Sequence, residues 1–203
     1  MSDSSTPIPA AGDALLLVDL QNDFLPGGAL AVPHGDEVLP PLEAWVRAFA
    51  AAGLPVAATR DWHPRGHCSF RAQGGPWPPH CVARTPGAAF AAAFVLPSDT
   101  LVVSKGEHPA LDAYSGFAGT PLADALREAG VRRLFVGGLA TDYCVLQTVL
   151  DALRQGFEVF VLRDGVRAVD VHPGDGDAAL ARMRAQGARL VEGVPAAEAR
   201  AAA

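Results

Sequence analysis

Six short stretches of the chain have the composition of strands, and segments with helical periodicity lie between most of them. The first, residues 14–18, is a continuous apolar run, the pattern of a strand covered on both faces of a parallel sheet. The other predicted strands are residues 54–59, 101–104, 133–136, 158–162 and 189–192. Apolar spacing predicts helices over residues 37–52, 122–129, 142–155 and 177–186. The alternation predicts an α/β fold with a doubly wound, six-stranded, mostly parallel sheet and helices on both faces.

Length and composition indicate a single domain. The chain has 203 residues, half of them hydrophobic, which suits one α/β domain. We expect this domain to span residues 13–195. The Ser/Pro-rich segment 1–12 and the Ala-rich segment 196–203 are predicted to be loose termini.

Charge and cysteine content exclude several classes of function. The formal net charge of −6 gives no support for binding to nucleic acid or to an anionic membrane. The N-terminal segment has no long apolar run, so we predict neither a signal peptide nor a membrane span. Three cysteines are an odd number in a chain large enough to fold without disulfides, which favours a reducing compartment. We therefore expect a cytoplasmic protein.

Chemically reactive side chains follow four of the predicted strands. Ligands of a doubly wound sheet bind beyond the carboxyl ends of the strands, near the switch in strand order. The residues at those ends are Asp19, Asp61, Lys105 and, just past the fourth strand, Cys144. Four such residues from distant parts of the sequence would meet at one edge of the sheet. This convergence predicts a functional site.

Cys144 is the candidate nucleophile. Thr141 is a plausible N-cap for the helix predicted at 142–155, which places Cys144 in the first turn, where backbone N–H groups lack intrahelical partners. A thiol at that position is expected to have a lowered pKa and donors nearby for an oxyanion. The alternative is a buried structural cysteine.

Asp19 and Lys105 are the candidate partners of the thiol. Asp19 would accept its proton, and Lys105 would stabilise the thiolate and hold the carboxylate in place. Either charge alone at a buried strand end would be costly, so we expect the two side chains to pair. The alternative is a structural ion pair with no chemical role.

The segment 61–98 lacks a convincing strand or long helix, and irregular stretches of this length are usually functional. It contains Asp61, His63, His67 and His80. Asp and His ligands suit Zn, Mn or Fe with an open coordination position. Asp61 and His63, two residues apart in extended chain, point to the same side and can share one ion. The alternatives are a closed structural zinc site that uses Cys68 or Cys81, and solvated histidines that bind no metal.

Two aromatic residues, Phe24 and Trp77, come from loops at the same edge of the sheet. They are placed to hold a flat ring between them. Packing within a lid is the alternative interpretation.

Five stretches of the sequence together resemble the nicotinamidase/pyrazinamidase family of the isochorismatase-like cysteine hydrolases. They are VDLQNDF (18–24), DWHP (61–64), WPPHCV (77–82), SKG (104–106) and GLATDYCV (138–145). No single stretch is decisive, but their order and combination are specific.

The resemblance implies hydrolysis of nicotinamide to nicotinate and ammonia, within NAD salvage, and hydrolysis of pyrazinamide. Cys144 would attack the carboxamide carbon and form a thioester, with Asp19 as general base and Lys105 tuning both. The backbone N–H groups of Ala140 and Cys144 would hold the oxyanion. The family often has a cis peptide before this alanine.

The resemblance also implies a divalent metal ion that binds the pyridine nitrogen. Asp61, His63 and His80 would be its ligands, and His67 is left open as a fourth. Phe24 and Trp77 would bind the substrate ring. Homo-oligomers are common in the family, so a homo-oligomer is possible here as well.

Three other functions are compatible with part of the sequence. The first is a metal-independent amidohydrolase of the same fold that acts on N-carbamoyl or other small amides. Asp61, His63 and His80 argue against it. Cys144 argues against an isochorismatase proper, which usually lacks the nucleophilic cysteine. The third, a binding module without catalysis, conflicts with an intact Asp19, Lys105 and Cys144 set.

Overall fold

The computed structural model describes residues 6–194 and contains the predicted alternation of strands and helices. Its strands are β1 (Asp13–Val18), β2 (Val56–Asp61), β3 (Leu101–Lys105), β4 (Arg133–Leu139), β5 (Glu158–Arg167) and β6 (Arg189–Val191). Its helices are α1 (Leu39–Ala51), α2 (Leu122–Glu128), α3 (Leu146–Arg154) and α4 (Asp175–Ala185). Of the termini predicted to be loose, residues 1–5 and 196–203 lie outside the described residues, as does residue 195.

The six strands form one sheet in the order β3-β2-β1-β4-β5-β6, and every neighbouring pair is parallel. The predicted doubly wound sheet is confirmed. The order reverses at β1, which has β2 on one side and β4 on the other. In such sheets the ligand crevice opens beyond the carboxyl ends of the strands at this reversal. The fold therefore directs the ends of β1, β2 and β4 towards one crevice.

The sheet separates two apolar layers, which explains the continuous apolar run of β1. Leu15 and Leu17 face the layer that contains α1. Leu16 and Val18 face the opposite layer, which contains residues of α2, α3 and α4. All four side chains are fully buried. A strand with both faces covered has no polar alternation, so its polar residues occur at its ends, here Asp13 at the start and Asp19 just beyond the last residue.

Strand β5 is five residues longer than its predicted end at residue 162. Its second half contains Arg163, Asp164 and Gly165, which interrupt the apolar pattern. Pairing with β4 nevertheless resumes after a register shift, at Gly138 opposite Val166. Hydrogen bonding to a neighbouring strand can extend a strand where its own side-chain pattern stops.

The segment between β2 and β3 is irregular, as the sequence predicts. It contains short 3₁₀ turns at Arg71–Gln73 and Pro86–Ala88 and isolated bridges, including His63 to Val82. This segment brings His63, Trp77 and His80 to the crevice beyond the sheet. Within residues 6–194, no helix has the length and apolarity needed to cross a membrane.

Candidate active site

Asp19 lies one residue beyond β1 with its side chain fully buried. Its backbone is left-handed, with φ of 51°, a conformation that Asp tolerates better than most residues. The Thr59 hydroxyl donates a hydrogen bond to Oδ1 at 2.7 Å. Lys105 Nζ lies 2.8 Å from Oδ2 in a close ion pair. The carboxylate is thus held by a hydroxyl at one oxygen and by an ammonium at the other.

Lys105 is the last residue of β3, and its ammonium group lies at the centre of the site. Nζ is 2.5 Å from Asp61 Oδ1, 2.8 Å from Asp19 Oδ2 and 3.4 Å from Cys144 Sγ. It also donates to the carbonyl oxygen of Ala113 at 3.3 Å. The structure therefore brings Asp19, Lys105 and Cys144 into contact. It adds a pairing that the sequence did not predict, between Lys105 and Asp61.

The charges of this cluster shift one another. Burial by itself would lower the pKa of the Lys105 ammonium, but Asp19 and Asp61 hold that pKa well above its usual range. Burial raises the pKa of Asp19, and Lys105 only partly offsets this effect. Asp61 has a pKa below its usual range, because Lys105 and His63 outweigh the effect of its burial. The resting cluster therefore has a permanent cation between two carboxyl groups of unequal acidity.

The lowered pKa expected for the Cys144 thiol is not found. Cys144 is only 6% exposed, and burial raises the pKa of the thiol well above its usual range, although Lys105 acts in the opposite direction. The expectation was based on the position in the chain and took no account of desolvation. In the resting protein the thiol is protonated, so the chemistry needs a base at hand, which favours Asp19.

The backbone before Cys144 differs from the predicted helix start. The Leu139–Ala140 peptide is cis, as the resemblance implies. Thr141–Val145 forms a π-helical turn, in which Val145 N–H donates to the Ala140 carbonyl at 3.1 Å, and α3 begins only at Leu146. Such turns occur often at functional sites. The π-turn places Cys144 and Ala140 on the wall of one pocket.

Thr141 does not cap the helix through its side chain, contrary to the prediction. Asp142, the next residue, joins this turn to another part of the fold. Its two carboxylate oxygens accept the backbone N–H groups of Val169 and Asp170, each at 2.9 Å. These bonds join the π-turn to the segment after β5, which contributes Val169 to the pocket wall.

Asp61, His63 and His80 form a buried group whose donor atoms all lie within 4.8 Å of one another. His63 Nε2 is 3.5 Å from Asp61 Oδ2, and His80 Nε2 is 4.0 Å from the same oxygen. The Nδ1 atoms donate to backbone carbonyls, of Gly106 at 3.0 Å for His63 and of Pro78 at 2.9 Å for His80. In the neutral tautomer with the proton on Nδ1, each Nε2 has a lone pair for a ligand. One carboxylate oxygen and two such imidazoles within 4.8 Å of one another fit a divalent ion.

His67 does not belong to this group. Its Nδ1 lies 2.7 Å from Ser69 Oγ, its Nε2 lies 3.1 Å from the Leu111 carbonyl, and its ring stacks on His63 at 4.1 Å. Both nitrogens are thus engaged by the protein, and His67 supports a candidate ligand. No potential metal group among residues 6–194 includes Cys68 or Cys81, so the closed zinc site has no support there.

An open pocket is lined by Cys144. Phe24 and Trp77 both line it, in agreement with their predicted placement, and Asp61 and His80 contribute to its floor. Two further aromatic residues, which the sequence analysis did not single out, complete the wall. Tyr114 accepts a hydrogen bond from Trp77 Nε1 at 3.0 Å, and Tyr143 packs edge-on against Trp77. Tyr143 had a signal in the sequence, because it directly precedes the candidate nucleophile.

The fold and the site define a class: α/β proteins with a buried thiol, carboxyl group and ammonium beside an Asp/His donor set, the groups used in cysteine-dependent hydrolysis. Comparison with known proteins then identifies the family. The isochorismatase domain matches residues 13–193, and the chain belongs to this family.

Relatives within the family are similar over nearly their whole length. The nicotinamidase of Escherichia coli (strain K12) is 42% identical over 198 residues, which cover 87% of this chain and 93% of the relative. The structure of Pyrococcus horikoshii pyrazinamidase in complex with zinc is 50% identical, with a TM-score of 0.86 and coverage of 89% and 99% of the two chains. A protein of L. infantum, solved in complex with nicotinate, is 37% identical, with a TM-score of 0.85 and coverage of 93% and 96%.

Proposed function

We propose that the protein is a nicotinamidase, which hydrolyses nicotinamide to nicotinate and ammonia and also accepts pyrazinamide. One observation carries the proposal: Lys105 Nζ lies within 3.4 Å of Cys144 Sγ and 2.8 Å of Asp19 Oδ2, at a pocket lined by aromatic residues beside the Asp61, His63 and His80 group. The nicotinamidase relative and the nicotinate-bound neighbour support a pyridine carboxamide as the substrate.

The chemistry begins with proton transfer from Cys144 to Asp19. Asp19 and Cys144 have donor atoms within 4.8 Å of each other, and burial raises the pKa of the Asp19 carboxyl, which makes it a competent acceptor. Lys105 stabilises the thiolate as it forms. The sulfur then attacks the carboxamide carbon, and the carbonyl electrons move to oxygen, giving a tetrahedral oxyanion.

The backbone N–H groups of Ala140 and Cys144 hold that oxyanion. Losing one donor of this kind typically lowers the rate by about 10²–10³. When the tetrahedral intermediate collapses, the C–N bond breaks and Asp19 returns its proton to the leaving ammonia. A water molecule, deprotonated by Asp19, then attacks the thioester carbon, the C–S bond breaks to release nicotinate, and Asp19 returns the proton to the Cys144 thiolate. Each cycle restores Asp19 and Cys144.

Asp61, His63 and His80 would hold one divalent ion, zinc, manganese or iron. The zinc-bound pyrazinamidase neighbour and the free Nε2 atoms of both histidines support this assignment. When bound, the ion supplies a Lewis acid for the pyridine nitrogen and so fixes the ring in the pocket. Phe24 and Trp77 contact the ring from the pocket wall. We place the protein in the cytoplasm, in NAD salvage.

Ammonia release from nicotinamide tests the proposal, with bound metal counted on the same sample. We expect turnover with about one ion per chain. Cys144→Ala should lower kcat by about 10⁴ or more with the fold retained. Cys68→Ala is the matched control, since Cys68 lies outside the pocket, and it should keep its activity. Metal-loaded protein that releases no ammonia from nicotinamide would refute the proposal.

A further inference from the structure

Gln21 is fully buried near the site. Within residues 6–194, its side chain forms hydrogen bonds only with main-chain atoms and with none of the side chains assigned a chemical role. Its carboxamide makes three hydrogen bonds. Oε1 accepts the Asp61 N–H at 2.7 Å, and Nε2 donates to the carbonyls of Asp61 at 2.8 Å and Ala88 at 2.9 Å. We infer that Gln21 is a positioning residue for the metal centre and for Lys105, acting through the main chain of Asp61. This inference rests on the proposed function.

The main-chain hydrogen bonds between β1 and β2 show why the main chain of Asp61 needs a side-chain partner. The parallel pairing ends at Val18 opposite Thr59, and the last bond runs from Asp19 N–H to the Thr59 carbonyl at 3.2 Å. The Asp19 carbonyl then accepts the N–H of Gln21 at 2.8 Å instead of a group of β2. Asp61 therefore has no main-chain partner on β1.

The carboxamide of Gln21 replaces that partner, because an amide side chain has the same donor and acceptor as a peptide group. It binds both the N–H and the C=O of Asp61, as an additional residue of β1 would. On the other side, Asp61 pairs with Lys105 of β3, and Trp62 N–H donates to the Lys105 carbonyl at 2.9 Å. The main chain at Asp61 is thus fixed from both sides.

The position of the Asp61 main chain matters because both oxygens of its carboxylate have partners in the site. Oδ1 is the partner of Lys105 at 2.5 Å, and Oδ2 faces His63 and His80. Any shift of the Asp61 main chain would disturb the donor set and the position of the ammonium at the same time. Misplacement of a catalytic group by about 1 Å can cost 10² in rate. Removing the hydrogen bonds between Gln21 and Asp61 should therefore weaken metal binding and catalysis together.

The next residue along the chain offers a matched control. Asn22 donates one side-chain hydrogen bond, from Nδ2 to the Pro86 carbonyl at 2.8 Å. Like the bond from Gln21 to Ala88, this bond joins the segment after β1 to residues 86–88. It reaches no candidate ligand and no member of the Asp19, Lys105 and Cys144 set. Asn22→Ala therefore removes a nearby hydrogen bond and keeps both hydrogen bonds between Gln21 and Asp61.

The test compares wild type, Gln21→Met, Gln21→Asn and Asn22→Ala in the full chain. Zinc affinity is measured by competition with a chromophoric chelator, alongside kcat, KM and thermal unfolding. Gln21→Met keeps the approximate shape and removes all three bonds. We expect its zinc dissociation constant to rise about 10–100-fold, with a comparable fall in kcat. Asn22→Ala should stay within about two-fold of wild type for both quantities, because its bond touches no ligand.

Gln21→Asn keeps the amide but is one methylene shorter, so it cannot bind both groups of Asp61. It should raise the zinc dissociation constant about ten-fold, and it provides the test if the Met variant does not fold. Folded Gln21 variants with wild-type zinc affinity and kcat would overturn the inference while leaving the proposed function intact. A wild-type protein that neither binds zinc nor releases ammonia would overturn the proposed function, and the inference with it.

Discussion

Lys105 and Asp61 form a buried ion pair of 2.5 Å that joins two sites which the sequence presents as separate. Through Oδ1, Asp61 belongs to the cluster of Asp19, Lys105 and Cys144, and through Oδ2 it belongs to the donor set with the histidines. The cation that tunes the thiol is thus held by a candidate metal ligand. Substrate positioning and nucleophile activation share one carboxylate.

The first prediction concerns the dependence of the Cys144 thiolate on Lys105. Burial holds the thiol pKa well above its usual range, and Lys105 is the group that lowers it. Lys105→Met should raise that pKa further, so the alkylation rate at a given pH falls and its rise with pH shifts to more alkaline values. A shift of one pKa unit corresponds to about ten-fold in rate below the pKa. Iodoacetamide labelling of Cys144 between about pH 6 and pH 10 measures the curve.

Arg60→Ala is the control for this experiment. Arg60 neighbours Asp61 in β2, but its guanidinium stacks on Trp62 and bonds Ser104 Oγ, away from the thiol. Its removal changes the net charge by the same amount and should leave the labelling curve in place. An identical curve for Lys105→Met and wild type would contradict the role given to Lys105.

The second prediction concerns removal of the metal. Chelation should lower substrate affinity and turnover together, because the ion holds the ring nitrogen. A loss of about 1.4 kcal/mol in ring binding corresponds to ten-fold in Kd, and we expect at least this weakening for nicotinamide. Calorimetric titration with nicotinamide, using Cys144→Ala to prevent turnover, measures the loss, and added zinc should restore the affinity. Equal affinity with and without the ion would show that the ion does not bind the substrate ring.

Much of this site was predictable from the sequence, because ligands of a doubly wound parallel sheet bind beyond the carboxyl ends of its strands. That rule placed Asp19, Asp61, Lys105 and Cys144 at one edge, and the structure brings all four together. The composition contains a further signal. Lys105 is the only lysine among the chain's 16 basic residues, which by itself marks it as unusual.

The remaining features depend on hydrogen bonds between residues far apart in the chain, which leave no periodic signal. Gln21 binds Asp61 across 40 positions, and Asp142 binds Val169 across 27. The same holds for His67, whose ring is turned from the donor set by Ser69 and Leu111. A short motif shows which side chains are present, but only the fold decides which partners engage them.

The third prediction concerns the pocket wall. Trp77 lines the pocket and is fixed by its bond to Tyr114 and its contact with Tyr143. Trp77→Ala should raise KM for nicotinamide about ten-fold with a smaller change in kcat, because an aromatic contact is worth about 0.5–1.5 kcal/mol beyond its buried area. Trp77→Phe restores a ring without the indole N–H and should recover most of the loss. A kcat effect larger than the KM effect would assign Trp77 to the chemistry instead.

The last prediction concerns Gly138, which lies in β4 directly before the cis peptide. Its φ of +132° is outside the range that other residues normally adopt, and a Cβ there would collide with the main chain of Val18 in β1. Gly138→Ala should therefore push β4 away from β1 and lower the free energy of unfolding by about 3 kcal/mol. Gly156→Ala is the matched control, since Gly156 also has a positive φ, of +89°, but open space where its Cβ would lie. It should cost only about 1 kcal/mol, from backbone strain alone. Urea denaturation of both variants measures the difference, and equal losses would show that close approach of β1 and β4 is not what requires glycine at 138.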